Sequence, residues 1–197
     1  MRRCIGIACI FLGIICILSS VGFLVYNQWE DKNAQETAQN FIKDVQSIID
    51  EKQPEQPSTD DDKKVPAEMP TVKVDGYDCI GILSIPALDL ELPVLTDWSY
   101  TKLKKAPCHY YGTYYEKDFV IAAHNYKSHF GKLSQLQTGD IVFFTDVNGV
   151  AYYYKVALLE TLPEQATKEM ITSGFDLSLY TCTTGGTGRV TVRCNSL

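Results

Sequence analysis

The longest apolar run in the chain lies near its N-terminus. Residues Cys4 to Tyr26 form an uncharged stretch of 23 residues. As a helix rising about 1.5 Å per residue, this stretch is long enough to cross a hydrocarbon core of about 30 Å. The apolar region of a secretory signal usually spans only about 7 to 15 residues, so we favour an uncleaved transmembrane anchor at residues 4–26 over a signal peptide.

The charges on the two sides of this run indicate its orientation. Arg2 and Arg3 precede it, whereas acidic residues such as Glu30 and Asp31 follow it. Positively charged residues tend to stay on the cytoplasmic side of a membrane. We therefore predict a cytoplasmic N-terminus at residues 1–3 and a single-pass membrane protein whose globular part lies on the extracellular side.

Between the anchor and the globular part, the pattern changes twice. From Gln28 to about Glu51, apolar residues recur at spacings of three and four, which predicts an amphipathic helix. The next stretch, EKQPEQPSTDDDKKVPAEMP, holds four prolines and a run of charges with almost nothing to bury, which is typical of a solvated linker. We assign residues 27–75 to this extracellular helix and linker, and residues 76–197 to one globular domain.

The globular part follows the short and alternating apolar patterns of strands. YDCIGILSIPALDLELPVL is divided at Pro86, DFVIAAH is an apolar strand, and LSLYTC and RVTVRC form the last pair. DIVFFTDVNGVAYYYKVALLE contains Asn148-Gly149, a strong hairpin signal because both residue types tolerate positive φ. Short helices are predicted at Tyr100–Lys105 and Phe130–Leu136. Seven or eight strands with few helices predict a mostly β fold, a closed or nearly closed β-barrel without exposed edges.

Composition and charge exclude some functions. The 197 residues suffice for one core, and the formal net charge is −6. No basic stretch exists beyond Arg2 and Arg3, so the sequence lacks the electrostatic footprint of a nucleic-acid-binding protein. Twelve of the 24 acidic residues fall between Glu30 and Asp75, so the acidic balance says little about a ligand of the globular domain.

Four of the seven cysteines lie beyond the anchor: Cys79, Cys108, Cys182 and Cys194. Their spacing does not match a zinc site, and we expect no metal or other cofactor. The sequence is compatible with two states of Cys79, Cys108 and Cys194. Two of them form a disulfide in an oxidising exterior, or all three are buried free thiols.

Two strand ends carry reactive side chains. His124 ends the apolar strand FVIAAH, and Cys182 ends LSLYTC. A free thiol with a pKa of about 8.5 is mostly protonated at neutral pH, so a nucleophilic cysteine needs an imidazolium or another cation beside it. A cysteine and a histidine at two strand ends therefore fit nucleophilic catalysis by a thiolate.

Two arginines follow Cys182 on the next predicted strand. Arg189 and Arg193 are four residues apart, so both lie on one face of that strand. A guanidinium at this place can stabilise the oxyanion of a tetrahedral intermediate or bind the backbone of a substrate. Arg189 is the better placed of the two, because it is nearer to the glycine-containing loop that follows Cys182. Taken singly, a cysteine, a histidine or an arginine pair is more often structural than catalytic.

Several segments resemble one enzyme family. LSLYTC, Leu177 to Cys182, is similar to the TLxTC signature of the sortases, with Ser178 in the place of its first threonine. VIAAHN resembles the strand and turn that carry the sortase histidine, and APCHYYGT and GILSIPALDLELPVL resemble early strands of the family. The likeness covers roughly Gly76 to Cys194, nearly all of the globular part.

The resemblance implies an eight-stranded β-barrel behind a membrane anchor, and a cysteine transpeptidase of Gram-positive bacteria. Cys182 would match the nucleophile, His124 the histidine and Arg189 the arginine of the final strand. Sortases cleave an LPxTG-like sorting signal between Thr and Gly and hold the protein as a thioester. They pass it to an amine of a cell-wall precursor or a pilin lysine. The implied partners are surface proteins with a C-terminal sorting signal and that amine acceptor.

The chain departs from parts of the family. The loop TTGGTG before Arg189 is short, which leaves Arg193 as an alternative for the family arginine. Pilus-building sortases often carry an inhibitory lid and a second, C-terminal membrane helix, and this chain ends at RCNSL. We therefore expect a single-anchor type of class A, B or D. Asp176 and Thr181 flank the site in sequence and receive no catalytic role.

Two other functions fit part of the pattern. A secreted cysteine peptidase would hydrolyse its substrate rather than transfer it. Papain-like peptidases place Cys before His, whereas Cys182 follows His124, and a chymotrypsin-like barrel usually has Gly where Tyr180 stands. A non-catalytic β-barrel binding module on a stalk is the second alternative, and it has no need of a hyper-reactive Cys182.

Overall fold

The computed structural model describes residues 2–51 and 68–197. The chain begins with helix α1, Arg2–Glu51, and divides into two compact units, Met1–Asn33 and Ala34–Leu197. In the first unit, the side chains from Ile10 to Tyr26 are exposed. Among the described residues, the segment Ile10–Glu51 is the one candidate for a membrane span by length and composition.

The second unit consists mostly of strands. Those of the described residues are β1 (Val72–Val74), β2 (Tyr77–Ile85), β3 (Leu90–Leu95), β4 (Cys108–Tyr111), β5 (Phe119–Ala122), β6 (Ile141–Asp146), β7 (Ala151–Pro163), β8 (Leu177–Cys182) and β9 (Gly188–Ser196). The helices of this part are short: α2 (Tyr100–Leu103), α3 (Thr167–Ile171) and 3-10 helices at Pro86–Leu88 and Leu133–Gln135.

Eight of these strands close into a barrel. Their order is β2-β3-β4-β5-β8-β9-β7-β6, and the pairing of β6 with β2 completes the ring. β1 pairs only with β2 and lies outside the ring as one arm of a hairpin. Closure satisfies the backbone groups that an open sheet would leave at its edges. The predicted mostly β fold with an eight-stranded barrel is confirmed.

The turn signals in the sequence act as expected. β6 and β7 pair as an antiparallel hairpin around Asn148-Gly149, where Gly149 has φ +84°. The Asp146 carboxylate accepts hydrogen bonds from the backbone N–H groups of Asn148 and Val150, both at 2.9 Å. Pro86 begins the 3-10 helix between β2 and β3. These local features fix the register of the antiparallel pairs β6–β7 and β2–β3.

The end of α1 packs against the barrel. Phe41, Val45 and Ile49 are buried in one apolar cluster with side chains of β2 and β4, and Val45 is fully buried. Full burial of an apolar side chain contributes about 1.5–3 kcal/mol. The compact unit therefore begins at Ala34, whereas the sequence-based domain boundary is Gly76. Most of the predicted linker, residues 52–67, lies outside the described residues.

Candidate active site

The parallel pairing of β5 with β8 determines where His124 and Cys182 lie. Ala122 is opposite Tyr180 in this pairing, and both chains continue for two residues, to His124 and Cys182. Neighbouring strands are about 4.8 Å apart, so the two residues leave the sheet at the same level of the barrel. The structure thus brings together the two reactive residues that the sequence places at strand ends.

Hydrogen bonds extend this pairing beyond the last strand residue. The N–H of Ala123 donates to the carbonyl of Tyr180 at 3.1 Å, and Thr181 Oγ1 donates to the carbonyl of Ala123 at 2.9 Å. Thr181 is buried, whereas Cys182 is exposed. Thr181 therefore ties the cysteine strand to the residue before His124, a positioning contact that the sequence did not predict.

Arg189 lies directly opposite Cys182 in the antiparallel pairing of β8 with β9. Its Nη1 is 3.5 Å from Cys182 Sγ and 3.4 Å from the carbonyl oxygen of Gly188. Its Nη2 lies 3.6 Å from Glu164 Oε1. The guanidinium therefore contacts both the Cys182 thiol and the Glu164 carboxylate.

A short loop makes the Cys182–Arg189 register possible. Thr183 and Gly188 close the loop through a backbone hydrogen bond, in which the N–H of Thr183 donates to the carbonyl of Gly188 at 2.9 Å. Gly185 and Gly186 between them adopt φ +98° and +77°, a region that other residues rarely enter. The glycines thus allow β9 to return directly beside the cysteine.

Cys182, His124 and Arg189 all line one groove on the outer face of the barrel, which encloses about 200 Å³. Four aromatic side chains line the same groove: Trp98, Tyr100, Tyr110 and Tyr180. Trp98 contacts Tyr110 with ring centroids 5.9 Å apart, and Tyr110 contacts Tyr180 at 5.3 Å. Burial raises the pKa of Tyr180, so this ring carries no charge near the thiol at neutral pH.

The opposite wall of the groove is the segment that joins β7 to β8. Pro163, Glu164, Ala166, Thr167 and Met170 contribute side chains to it, the last two from α3. Together with the aromatic side chains and Cys182, these residues line one groove.

A second, smaller cavity of about 130 Å³ also reaches Cys182. Its lining residues come from the turn after His124, from the 3-10 helix Leu133–Gln135 and from the loop after the cysteine; they include Asn125, Gly131, Ser134 and Thr183. His124 and Arg189 do not line this cavity. Cys182 therefore borders two separate depressions in the surface.

The other three cysteines of the second unit are unlike Cys182. Cys79, Cys108 and Cys194 are buried and free, in keeping with the alternative of buried thiols. Burial raises the pKa of Cys79 to about 11 and the pKa values of Cys108 and Cys194 to about 12. At neutral pH these three thiols stay protonated, so Cys182 is the exposed candidate nucleophile of this unit.

Arg193, the alternative to Arg189, lies elsewhere. It is buried and donates to Glu160 Oε1 at 2.9 Å and to Ser178 Oγ at 2.8 Å. Asp176 lies at the other end of β8, where its carboxylate accepts hydrogen bonds from Ser196. Neither residue reaches the groove that holds Cys182.

Several residues of the groove were not predicted from the sequence. Tyr180 is two residues from Cys182 on β8 and so shares its face, a period-two signal that identifies it in retrospect. Glu164 and Met170 carry no comparable signal, because they reach the site through the irregular connection between β7 and β8. Trp98 and Tyr110 approach from loop and strand segments whose placement depends on the tertiary fold.

Comparisons with known proteins identify a family that the chain resembles in sequence and fold. A family model of the sortase domain matches residues 83–197, more than half of the chain. Sortase C1 from Streptococcus suis is 27% identical over 60% of this chain and 73% of that chain, with a TM-score of 0.53. Sortase C1 from Streptococcus agalactiae is 25% identical over 64% of this chain and 70% of that chain, with a TM-score of 0.56.

A third structure supports the fold alone. A Clostridium perfringens sortase D5 transpeptidase is 19% identical over 84% of this chain and 99% of that chain, with a TM-score of 0.59. A search of curated proteins found no match. The expected class, A, B or D, stays a prediction, because the matched structures include sortases of types C1 and D5. On the strength of the match over residues 83–197, the chain belongs to the sortase family.

Proposed function

We propose that the protein is a cysteine transpeptidase in which Cys182 is the nucleophile, His124 the general acid and base, and Arg189 the stabiliser of the oxyanion. The observation that carries this proposal is the 3.5 Å contact between Arg189 Nη1 and Cys182 Sγ in a groove that His124 also lines. A thiol beside a guanidinium and an imidazole matches the requirements of an activated cysteine.

In the proposed acylation step, the Cys182 thiolate attacks the carbonyl carbon of a peptide bond in the groove. A carbon–sulfur bond forms, and the carbonyl electrons move to an oxyanion that the guanidinium of Arg189 stabilises. When the intermediate collapses, the carbon–nitrogen bond breaks and the His124 imidazolium gives its proton to the leaving amine. The products are a thioester on Cys182, a neutral His124 and a free amine.

The second step reverses these roles with a different amine. The acceptor nitrogen attacks the thioester carbon, neutral His124 takes a proton from that nitrogen, and the carbon–sulfur bond breaks to return the thiolate. Hydrolysis occurs when water takes the place of the amine.

The proposed substrate is the C-terminal sorting signal of a surface protein, of LPxTG type and cleaved between Thr and Gly. The proposed acceptor is an amine of a cell-wall precursor or a pilin lysine. The aromatic wall from Trp98 to Tyr180 supports an apolar and proline-containing peptide, because proline and aliphatic side chains pack well on aromatic rings. The candidate membrane helix supports a site held at the extracellular face of the cell membrane.

Mass spectrometry of the full-length protein in detergent tests this proposal. The protein is incubated with peptides of LPxTG type, with and without a primary amine, and compared with Cys182→Ala. We expect an acyl adduct on the wild type, cleavage between Thr and Gly, and an amide product when the amine is present. Cleavage by Cys182→Ala would refute the thioester mechanism, and hydrolysis that no amine can divert would favour a cysteine peptidase instead.

A further inference from the structure

Arg193 is the largest fully buried side chain described in the protein, with 2% of its surface exposed. Its guanidinium donates hydrogen bonds to four oxygen acceptors. These are Glu160 Oε1 at 2.9 Å, Ser178 Oγ at 2.8 Å, the Glu169 carbonyl at 2.7 Å and the Met170 carbonyl at 3.2 Å. A buried charge is tolerated only when it is paired and hydrogen-bonded in this way.

Two of these acceptors are backbone carbonyls near the end of α3. A helix leaves its last carbonyl groups without partners inside the helix, and its C-terminus carries partial negative charge. In the five-residue helix α3, the carbonyls of Glu169 and Met170 receive their hydrogen bonds from Arg193. The Met170 sulfur also lies 3.9 Å from Arg193 Nη1. One side chain of the barrel therefore holds this short helix through its backbone.

The helix that Arg193 holds is part of the groove wall. Thr167 and Met170 of α3 line the same groove as Cys182, and Ala166 precedes them. α3 has no side-chain hydrogen bond at its N-terminal cap, so its own sequence contributes little to fixing it. Such a short helix is not stable by itself and takes its position from tertiary contacts.

Arg193 and the reacting atoms are separate. Arg193 is opposite Ser178 in the strand pairing, whereas Arg189 is opposite Cys182. Four residues along a strand correspond to about 13 Å. The two arginines share the outer face of β9, because the side chains between them that point inward, Val190 and Val192, pack in the barrel core. One arginine reaches the thiol and the other reaches α3.

We infer that Arg193 is a positioning residue that sets the affinity of the groove for the sorting peptide by fixing α3, without contributing to the chemical step. This inference rests on the proposed function of the same groove. A misplaced wall weakens the binding of the substrate and of the transition state equally. Such a loss of binding raises KM while leaving kcat unchanged. Arg189 has the opposite signature, because its charge acts on the oxyanion.

The test compares Arg193→Met, Arg193→Lys and Ser178→Ala in the full-length protein with an LPxTG-type peptide and a primary amine. Ser178→Ala is the matched control, because it removes a hydrogen bond from the same guanidinium but leaves both carbonyls of α3 bound. For Arg193→Met we expect KM to rise about tenfold or more, in keeping with the loss of charge-assisted hydrogen bonds to the wall. Its kcat should stay within about threefold, and Ser178→Ala should change KM by less than about twofold.

Hydrogen–deuterium exchange supplies a readout that does not depend on turnover. In Arg193→Met the amides of residues 167–172 should exchange faster, while those of β8 stay as protected as in the wild type. If Arg193→Met does not fold, Arg193→Lys gives the same comparison with a smaller rise in KM, because an ammonium cannot serve two carbonyls and a carboxylate through a planar fork.

The outcomes separate this inference from the proposed function. An unchanged KM with unchanged exchange at residues 167–172 overturns the inference, as does a fall in kcat at constant KM. A wild-type protein that forms no acyl adduct refutes the proposed function. In that case the exchange experiment still decides whether Arg193 fixes α3.

Discussion

Arg189 Nη1 lies 3.5 Å from Cys182 Sγ, and the two residues are direct partners in the antiparallel pairing of β8 with β9. Strand register therefore places the two side chains next to each other on one face of the sheet. A shift by one residue would turn Arg189 into the barrel core and remove its charge from the thiol. The register of β8 and β9 therefore determines whether the guanidinium can reach the thiol.

The first prediction concerns this guanidinium. Arg189→Lys keeps a positive charge but loses the planar fork that serves Cys182, Gly188 and Glu164 together. We expect the rate of acyl-enzyme formation at saturating peptide to fall about 10²-fold to 10³-fold, as when one oxyanion donor is removed. Single-turnover mass spectrometry measures this rate, with folding checked by circular dichroism.

Arg193→Lys is the control for this experiment, since Arg193 lies on the same face of β9 and does not line the groove. At saturating peptide its acylation rate should stay within about threefold of the wild type. A larger loss at position 193 than at position 189 would move the oxyanion role away from Arg189.

The second prediction concerns Glu164, whose carboxylate lies 3.6 Å from Arg189 Nη2. The Glu164 side chain is 53% exposed, so the pair contributes little energy and is screened by salt. Glu164→Gln should slow acylation by only about two- to fivefold at low ionic strength, with the difference vanishing at high salt. Glu169→Gln, an exposed acid in the same connection, should show no change; equal losses in both variants would point to a general charge effect.

The sequence predicts those features that depend on local pattern. Pro86, the Asn148-Gly149 turn and the alternating runs determine strands and hairpins, because each acts through its own backbone preference. Cys182 and His124 are found from the sequence because each closes an apolar run. Their proximity needs one more fact, the parallel pairing of β5 with β8, which the structure shows.

The features that the sequence does not predict depend on long-range packing. Glu164 reaches Arg189 through the connection between β7 and β8, where no periodic pattern exists. The two arginines of β9 look equivalent by spacing, and only the location of α3 separates their surroundings. The apolar face of residues 34–49 indicates a helix but not the surface it covers, which is a cluster with side chains of β2 and β4.

The third prediction follows from that cluster. A protein that begins at Ala34 should fold, whereas one that begins at Gly76 loses the buried side chains of Phe41, Val45 and Ile49 and exposes their apolar partners. At about 1.5–3 kcal/mol for each buried side chain, this loss is comparable to the whole stability of a typical domain. Thermal unfolding of both proteins measures the difference. Equal melting temperatures would support Gly76 as the boundary of the folding unit.

The fourth prediction uses the thiols. In a protein that begins at Ala34, iodoacetamide at pH 8 should label Cys182 alone, because Cys79, Cys108 and Cys194 are buried and burial raises their pKa values to between about 11 and about 12. In denaturant, all four thiols should react. Peptide mapping identifies the labelled sites, and rapid native labelling at any of the three buried cysteines would contradict the packing described for them.

The same thiols predict a fifth result, a loss of stability in alkali. The folded pKa values of Cys79, Cys108 and Cys194 are raised above those of the unfolded chain. The contribution of these thiols to the free energy of unfolding is fully present below about pH 8.5 and is lost as the pH rises towards the folded pKa values. The reason is that the thiols of the unfolded chain ionise first, so the folded chain binds more protons in this range.

Urea unfolding at pH 7.5 and pH 10 measures this effect. Cys194→Ala is the comparison variant: it has a cavity in the barrel core and is less stable at both pH values, but its stability should depend less steeply on pH, because one of the three raised thiols is gone. A wild-type free energy of unfolding that is constant over this pH range, or a slope that Cys194→Ala leaves unchanged, would show that ionisation of the buried thiols is not coupled to unfolding. In the expected case, alkali destabilises the folded chain because the three buried thiols ionise more readily once the chain unfolds.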